Sequence, residues 1–298
     1  MIKSYGEIAA LLTSVCWSFN SVVFSLAGKR VGSAIVNKVR LWIAFIAILI
    51  LHFVLYGTFF PVTAAPREMI YLALSGVIGF IIGDSLLFEA FLLIGPRLAM
   101  LLMLLAPIFS AVLAWVLLGE TLLFWQIIAI LVTMGGIGWA VSENQPHGLQ
   151  TSKHRGLGIL LGIGGAVGQA SGLLLSKLGM AHGLSPISAN HIRVAAAVLV
   201  ITAGSLLRGK MRADILKMKD IKAMLQIGSG ALTGPVLGVI LSLVAIRYTR
   251  IGIASTLMSL SPILLIPVSH FLFKERITFR TVFGTIIALS GAVWLFFL

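Results

Sequence analysis

Ten runs of predominantly apolar residues, each near 20 residues long and separated by short polar links, dominate this 298-residue chain. A helix rising about 1.5 Å per residue needs about 20 residues to cross a hydrocarbon core of about 30 Å. Inside lipid no water satisfies a free amide, so only helices or a closed barrel can span it. The runs lack the period-2 alternation of barrel strands, which leaves helices. Composition closes the soluble alternative: 59% of residues are hydrophobic and 10% charged, with a mean hydropathy of +1.09. Soluble domains average about 45–50% apolar and about 25% charged residues, and no chain of this size could bury the difference.

The spans fall at roughly 6–27, 34–57, 69–93, 97–118, 122–141, 156–178, 187–207, 222–246, 251–273 and 279–298. The first reads as a retained helix, because no convincing cleavage site follows it. The net charge of +13 collects in the links, notably at Arg208, Lys210, Arg212, Lys217, Lys219 and Lys222. Such clusters mark a membrane side, and no domain outside the bilayer is left to carry a nucleic-acid function. Cys16 is the only cysteine, which excludes intrachain disulfides and cysteine metal clusters. His52 and His270 have no acidic or cysteine neighbours at metal spacing, so no metal site is expected.

A shift of 155 residues lays the chain on itself. It aligns Leu102, Met103, Leu105, Pro107 and Ile108 with Leu257, Met258, Leu260, Pro262 and Ile263. It also pairs Gly79 with Gly234, Gly83 with Gly238, Glu120 with Glu275, Gly136 with Gly291, and Trp139 with Trp294. A shift of 153 matches Asn37-x-x-Arg40 to Asn190-x-x-Arg193. The polar stretch 142–155 separates the copies, giving repeats at 1–145 and 150–298. Each copy holds five spans, an odd number, so the second enters from the opposite face. The expected fold is an all-α membrane protein of ten transmembrane helices in two inverted five-helix repeats, an arrangement frequent in secondary transporters.

These residues resemble the drug/metabolite transporter superfamily, in its ten-helix branch of paired EamA-type domains. The resemblance rests on Pro107 through Gly119-Glu120 and its copy Pro262 through Lys274-Glu275, on Arg40 and Arg193, and on Gly83-Asp84-Ser85 leading to Ala90 and Gly95-Pro96. Lys274 stands where the first copy has Gly119. The resemblance covers essentially the whole chain. It implies a multi-pass protein of the plasma (inner) membrane of a prokaryote, a monomer or homodimer that exports an amino acid or related organic anion. It implies no cofactor and no chemistry on the cargo.

Buried ionisable groups are costly in a bilayer and mark function by default. Call the face carrying the link between spans one and two face A, and the other face B. Rise per residue places Arg40, Asp84 and Asn20 together, roughly 9 Å below A. An Arg40–Asp84 ion pair with Asn20 nearby is predicted, either as a lock between spans two and three or as a gate facing a cavity. Arg193 and Gln169 form a second layer about 8–9 Å below B. The residue matching Asp84 in the second copy is Val239, so Arg193 lacks the equivalent acid. Its partner is Gln169, a backbone carbonyl or an anionic group of the substrate. His191, two residues from Arg193, titrates near neutral pH in its ordinary form and is a candidate for binding or gating.

Pro107 and Pro262 fall near mid-membrane, where a missing N–H kinks a helix and frees a carbonyl. They and Pro235 are candidate hinges, with a fixed packing bend as the alternative. Span six carries Gly158, Gly162, Gly164, Gly165, Gly168 and Gly172, with small-xxx-small spacing that lets backbones approach. Met100, Met103 and Met258 are expected in lipid or core contacts, with cavity lining as the alternative, and Glu120 and Glu275 at helix ends. The two rival classes are a lipid-modifying enzyme, which lacks a nucleophile–base pair, and a channel or sensor, which lacks a pore ring or signalling domain. Lys and Arg concentrate on face A, which makes it cytoplasmic and both termini external, whereas the resemblance implies internal termini.

Overall fold

The computed structural model describes residues 4–61, 64–118, 123–142, 154–180, 183–209, 211–248, 257–273 and 278–297. Every regular element among them is helical. Helix α1 is Ser4–Val31 and α2 is Ser33–Tyr56. The third span, α3, runs from Pro66–Gly76 through a π-helical turn Val77–Gly83 and on to residue 94. A break at Gly95 starts α4, residues 96–118, which ends in Ala106–Leu118 after a 3-10 turn at Met103–Leu105. Then follow α5 Phe124–Val141, α6 Arg155–Gly179 and α7 Pro186–Leu207. After a short linking helix, Met211–Lys217, the eighth span α8 comprises Ile221–Ala231, a second π-turn Leu232–Gly238, and Val239–Tyr248. Helices α9, Ser261–Phe273, and α10, Phe279–Phe297, complete the chain.

Seven of these stretches are long and apolar enough to cross a membrane, and two shorter apolar helices are α9 and Phe279–Trp294. The 48-residue stretch Pro66–Leu113 is one of the seven. It folds back at Gly95, whose φ of 81° lies in the left-handed region that glycine tolerates, and so counts as two spans. Pro96 follows, set at the start of α4 where a missing N–H costs nothing. The ten crossings read from hydropathy are thus all present.

Local chemistry sets the other boundaries. Glu68 reaches back to the Ala65 N–H at 2.8 Å to cap α3, Ser185 caps α7 ahead of Pro186, and Asp220 accepts the Ala223 N–H at 3.0 Å to cap α8. The turn between α1 and α2 is a single glycine, Gly32, at φ 90°.

The two copies are inverted, as contacts along α2 and α7 demonstrate. Lys38, near the start of α2, bonds Ser205 near the end of α7; Trp42 donates to Thr202 at 3.1 Å; Tyr56, at the end of α2, donates to Ser185 ahead of α7 at 3.0 Å. Equivalent helices that run antiparallel belong to oppositely oriented copies. The remaining packing obeys the same pseudo-two-fold: α1 lies on α8 and α9, α6 lies on α3 and α4, and α5 pairs with α10.

Small residues let the α5–α10 pair close completely. A Cβ on Gly136 would strike the Ala288 backbone, one on Gly291 would lie 2.6 Å from the Thr133 nitrogen, and one on Gly284 would lie 2.9 Å from the Ala140 nitrogen. Gly135, one residue away, faces open space. Gly136→Ala is therefore expected to lower the thermal unfolding midpoint in detergent, at a cost of about 1–3 kcal/mol of overpacking. Gly135→Ala is expected to hold or raise the midpoint, since alanine is up to about 1 kcal/mol better in a helix. Equal behaviour of the two variants would contradict this packing.

Candidate functional site

The π-turns fall at Val77–Gly83 and Leu232–Gly238, 155 residues apart, so they occupy the same place in both copies. Widening a helix to i→i+5 bonding releases carbonyls from their usual partners, and such turns recur at functional sites. In lipid the released groups need replacements. Asn37 of α2 donates to the Phe80 carbonyl at 3.0 Å and to the Ser85 hydroxyl at 2.7 Å. Asn190 of α7 donates to the Pro235 carbonyl at 2.9 Å. Phe80 and Pro235 are themselves repeat equivalents, so each copy pins its own π-turn with the asparagine of its second helix.

The neighbouring arginines break this symmetry. Arg40 donates through Nε and Nη2 to Asn37 Oδ1, at 3.0 and 2.8 Å, and its Nη2 also forms an ion pair with Asp84. The guanidinium is further enclosed by the rings of Phe88, 4.6 Å away, and Phe24, 5.8 Å away. Arg193 makes no such bond to Asn190. Its Nε and the Asn190 Oδ1 are both buried without a hydrogen-bond partner, and the guanidinium instead lies 4.5 Å from the Phe80 ring centre. Arg40 sits 5.9 Å from that same centre, so both cations approach one phenyl ring. Arg193 also feels the charge of Asp84.

These groups line one cavity of about 230 Å³ between the copies. Helices α1 to α4 and α6 to α9 all contribute to it, and α5 and α10 contribute nothing. Asn20, Arg40, Asp84, Gln169, Arg193 and the three prolines Pro107, Pro235 and Pro262 all lie on its wall. The two polar layers expected at separate depths therefore meet: backbone positions differ in depth, but both arginine side chains extend toward the middle. Asn20 lies against Gly234 as Gln169 lies beside Gly79, again related by the repeat. A Cβ on Gly234 would strike the Asn20 amide, whereas one on Gly79 would only touch Arg193 and Gln169.

Pro107 follows the 3-10 turn of α4, and Pro235 lies inside the second π-turn. Pro262 is the second residue of α9, and the carbonyl of Ser261 before it accepts the Ser18 hydroxyl at 3.1 Å. Span six packs as its glycines require: Gly83 and Gly168 meet backbone to backbone, as do Gly79 and Gly172. Met100, Met103 and Met258 make the expected core contacts and also line the cavity. Glu120 and Glu275 lie outside the described residues.

His191 is not on the cavity wall. It is fully buried toward face B, ringed by Phe45, His52 and Phe60 at 5.8, 5.2 and 5.4 Å, with both nitrogens lacking hydrogen-bond partners. Two residues separate His191 from Arg193, which on a helix turns the ring about 200° away from the guanidinium.

Two features were not anticipated. One is Phe80, whose ring is approached by both arginines and whose type carried no polar signal. The other ties the copies at face A: Lys38 forms a buried ion pair with Asp214 of the linking helix, and Arg30 pairs with Asp220 at 2.9 Å. A lysine two residues before Arg40 in an apolar span was itself the available signal. The Ala223 N–H and then Arg30 hold the Asp220 carboxyl below the usual carboxylate range, so this exposed tie is complete at neutral pH and is lost as pH falls through that lowered value.

Asn37→Ala removes bonds to a carbonyl, a hydroxyl and a charged guanidinium, whereas Asn190→Ala removes one to a carbonyl. The first is expected to cost about 1.5–3 kcal/mol more in unfolding by denaturing detergent, the range of a bond to a charged group. Equal losses would refute the asymmetry.

The chain matches the EamA-like transporter family twice, over residues 4–142 and 156–297. A solved structure described only as "Crystal structure of protein" superposes with a TM-score of 0.64 at 15% identity, covering 98% of this chain and 96% of that one. At that identity the likeness establishes the fold alone. No curated protein matches. The two family matches fall one on each inverted copy and together span nearly all the sequence, and the chain belongs to the EamA-like transporter family.

Proposed function

We propose that the protein is a secondary transporter that carries a small metabolite, an amino acid or related organic anion, out of a prokaryotic cell across the plasma (inner) membrane. The single observation that carries the reading is a largely apolar cavity with a charged corner, built jointly by eight helices of two inverted copies, with α5 and α10 left outside it among the described residues. Two equivalent copies around one midplane site can exchange conformations, which opens the site to each face in turn. The repeats 1–145 and 150–298 are the exchanging bodies. One chain encloses the whole cavity, so a monomer suffices for transport.

The roles of the polar residues follow this reading. Asn20, Arg40, Asp84, Gln169 and Arg193 bind or gate the cargo, and His191 supports the α2–α7 seam near face B. Pro107, Pro235 and Pro262 serve as hinges, each beside a 3-10 turn, a π-turn or a turn in its helix. The backbone contacts between glycines of α3 and α6 provide surfaces without side chains to interlock. At face A the Lys38–Asp214 and Arg30–Asp220 pairs hold the copies together and must part when that face opens.

Reconstitution in liposomes with a panel of amino acids and organic anions, with and without a pH gradient, tests the reading. Saturable flux of at least one compound is expected, and Ser110→Trp, which fills the cavity wall, is expected to reduce it to the level of empty liposomes. Flux unchanged by that variant would place the pathway elsewhere. No flux of any compound in the wild type would refute transport of this class.

A further inference from the structure

Resting on the transport reading, we infer that the cargo is a small organic monoanion, a carboxylate on an apolar body without an ammonium group, and that Arg193 receives its charge.

Charge balance carries the first step. Among the described residues on the cavity wall, the ionisable side chains are Arg40, Arg193 and Asp84. Asp84 is given to Arg40, which leaves one positive charge uncompensated. One surplus charge suits a single carboxylate and not a phosphate, which carries about −1.5 to −2 at neutral pH. An α-ammonium would need an acid of its own, and among the described residues no second carboxylate faces the cavity. Glu89, on the same helix as Asp84, accepts the Ser33 hydroxyl away from the cavity wall.

The broken symmetry carries the second step. Asn37 Oδ1 saturates Arg40, yet the equivalent Asn190 Oδ1 and Arg193 Nε remain unpartnered although Arg193 is only 5% exposed. A buried cation with an idle N–H is unfavourable unless something else takes the bond. At the same corner the Arg193 Nη2 and the Gln169 Oε1 both lie beside Gly79, so the guanidinium is the donor that faces an incoming oxygen. Arg40 is thus committed to Asp84 as part of the gate, and Arg193 is the arginine kept free for cargo.

The rest of the wall sets the body. Phe24, Phe88, Phe91, Met100 and Met103 give an aromatic and thioether surface that favours an apolar group and adapts to its shape. The volume of about 230 Å³ lies below the range of about 300–1,000 Å³ typical of drug-sized ligands.

Three probes with a shared branched body separate the possibilities: 4-methyl-2-oxopentanoate, leucine and 4-methylpentanamide. Their binding to the purified full chain is measured by calorimetry and their uptake in proteoliposomes. The oxo acid is expected to bind and move saturably, with leucine and the amide about tenfold weaker or more. Arg193→Gln is expected to weaken the oxo acid by a similar factor, with Arg193→Lys intermediate. The Gln variant should unfold no earlier than the wild type, because it removes an unpaired buried charge; a purely structural arginine would lower that midpoint. Leucine carried as well as the oxo acid overturns the inference, as does oxo-acid binding indifferent to Arg193→Gln, or no binding of the oxo acid. If another compound of the wider panel is carried and Ser110→Trp blocks it, such a failure touches the anion assignment alone. If nothing moves in the wild type, transport itself fails and the inference falls with it.

Discussion

A carbonyl released from its helix in hydrocarbon has no water to turn to, and the centre of this protein is arranged around that constraint. Both π-turns release one, and both are answered by an asparagine from the second helix of the same copy. That asparagine decides how α2 sits on α3 and how α7 sits on α8. The position of Arg40 and Arg193, one turn further along, follows from it. The arginines are therefore brought to the cavity by backbone chemistry and not by any attraction to one another.

The copies share that scaffold and differ in whether a carboxylate answers the arginine. Asp84 in the first copy completes a closed set of Asn37, Arg40 and the Phe80 carbonyl, while Val239 in the second leaves Arg193 unanswered. Removing either member of a buried ion pair costs more than never having made it, so Arg40 and Asp84 constrain each other. Arg193 carries no such obligation. Stability and availability have been divided between two positions that the duplication made identical.

Much of this was legible before any coordinates. The lengths of the apolar runs gave the ten crossings, the odd number in each copy gave their inversion, and Gly79 and Gly83 matching Gly234 and Gly238 marked the segments that prove to be π-turns. The turns themselves were not readable, because a π-turn is a change of hydrogen-bond register that leaves the hydrophobic pattern nearly unaltered. Depth arithmetic placed Arg40 and Arg193 in separate layers because it follows Cα atoms, whereas a guanidinium lies several bonds away and leans toward what will accept it. His191 shows the opposite limit. Its nearness to Arg193 in sequence said nothing of direction, and the helical turn sends it into the aromatic seam with Phe45 and His52.

The seam and the cavity make different demands on the same two helices. Along α2 and α7 the copies are bonded at both ends, by Lys38 and Ser205 at face A and by Tyr56 and Ser185 at face B. An alternating mechanism cannot separate these helices along their whole length without losing all of those bonds at once. Movement is then better accommodated by rotation about the seam, with α3 and α6 sliding on their glycines and α8 moving likewise on α1. On the proposed mechanism Phe80, carried on a π-turn and close to both guanidiniums, would be the side chain through which a change at Arg193 reaches Arg40 and Asp84. A cargo that drew Arg193 off the ring would then loosen the packing beside the ion pair and couple occupancy of the second copy to the lock of the first.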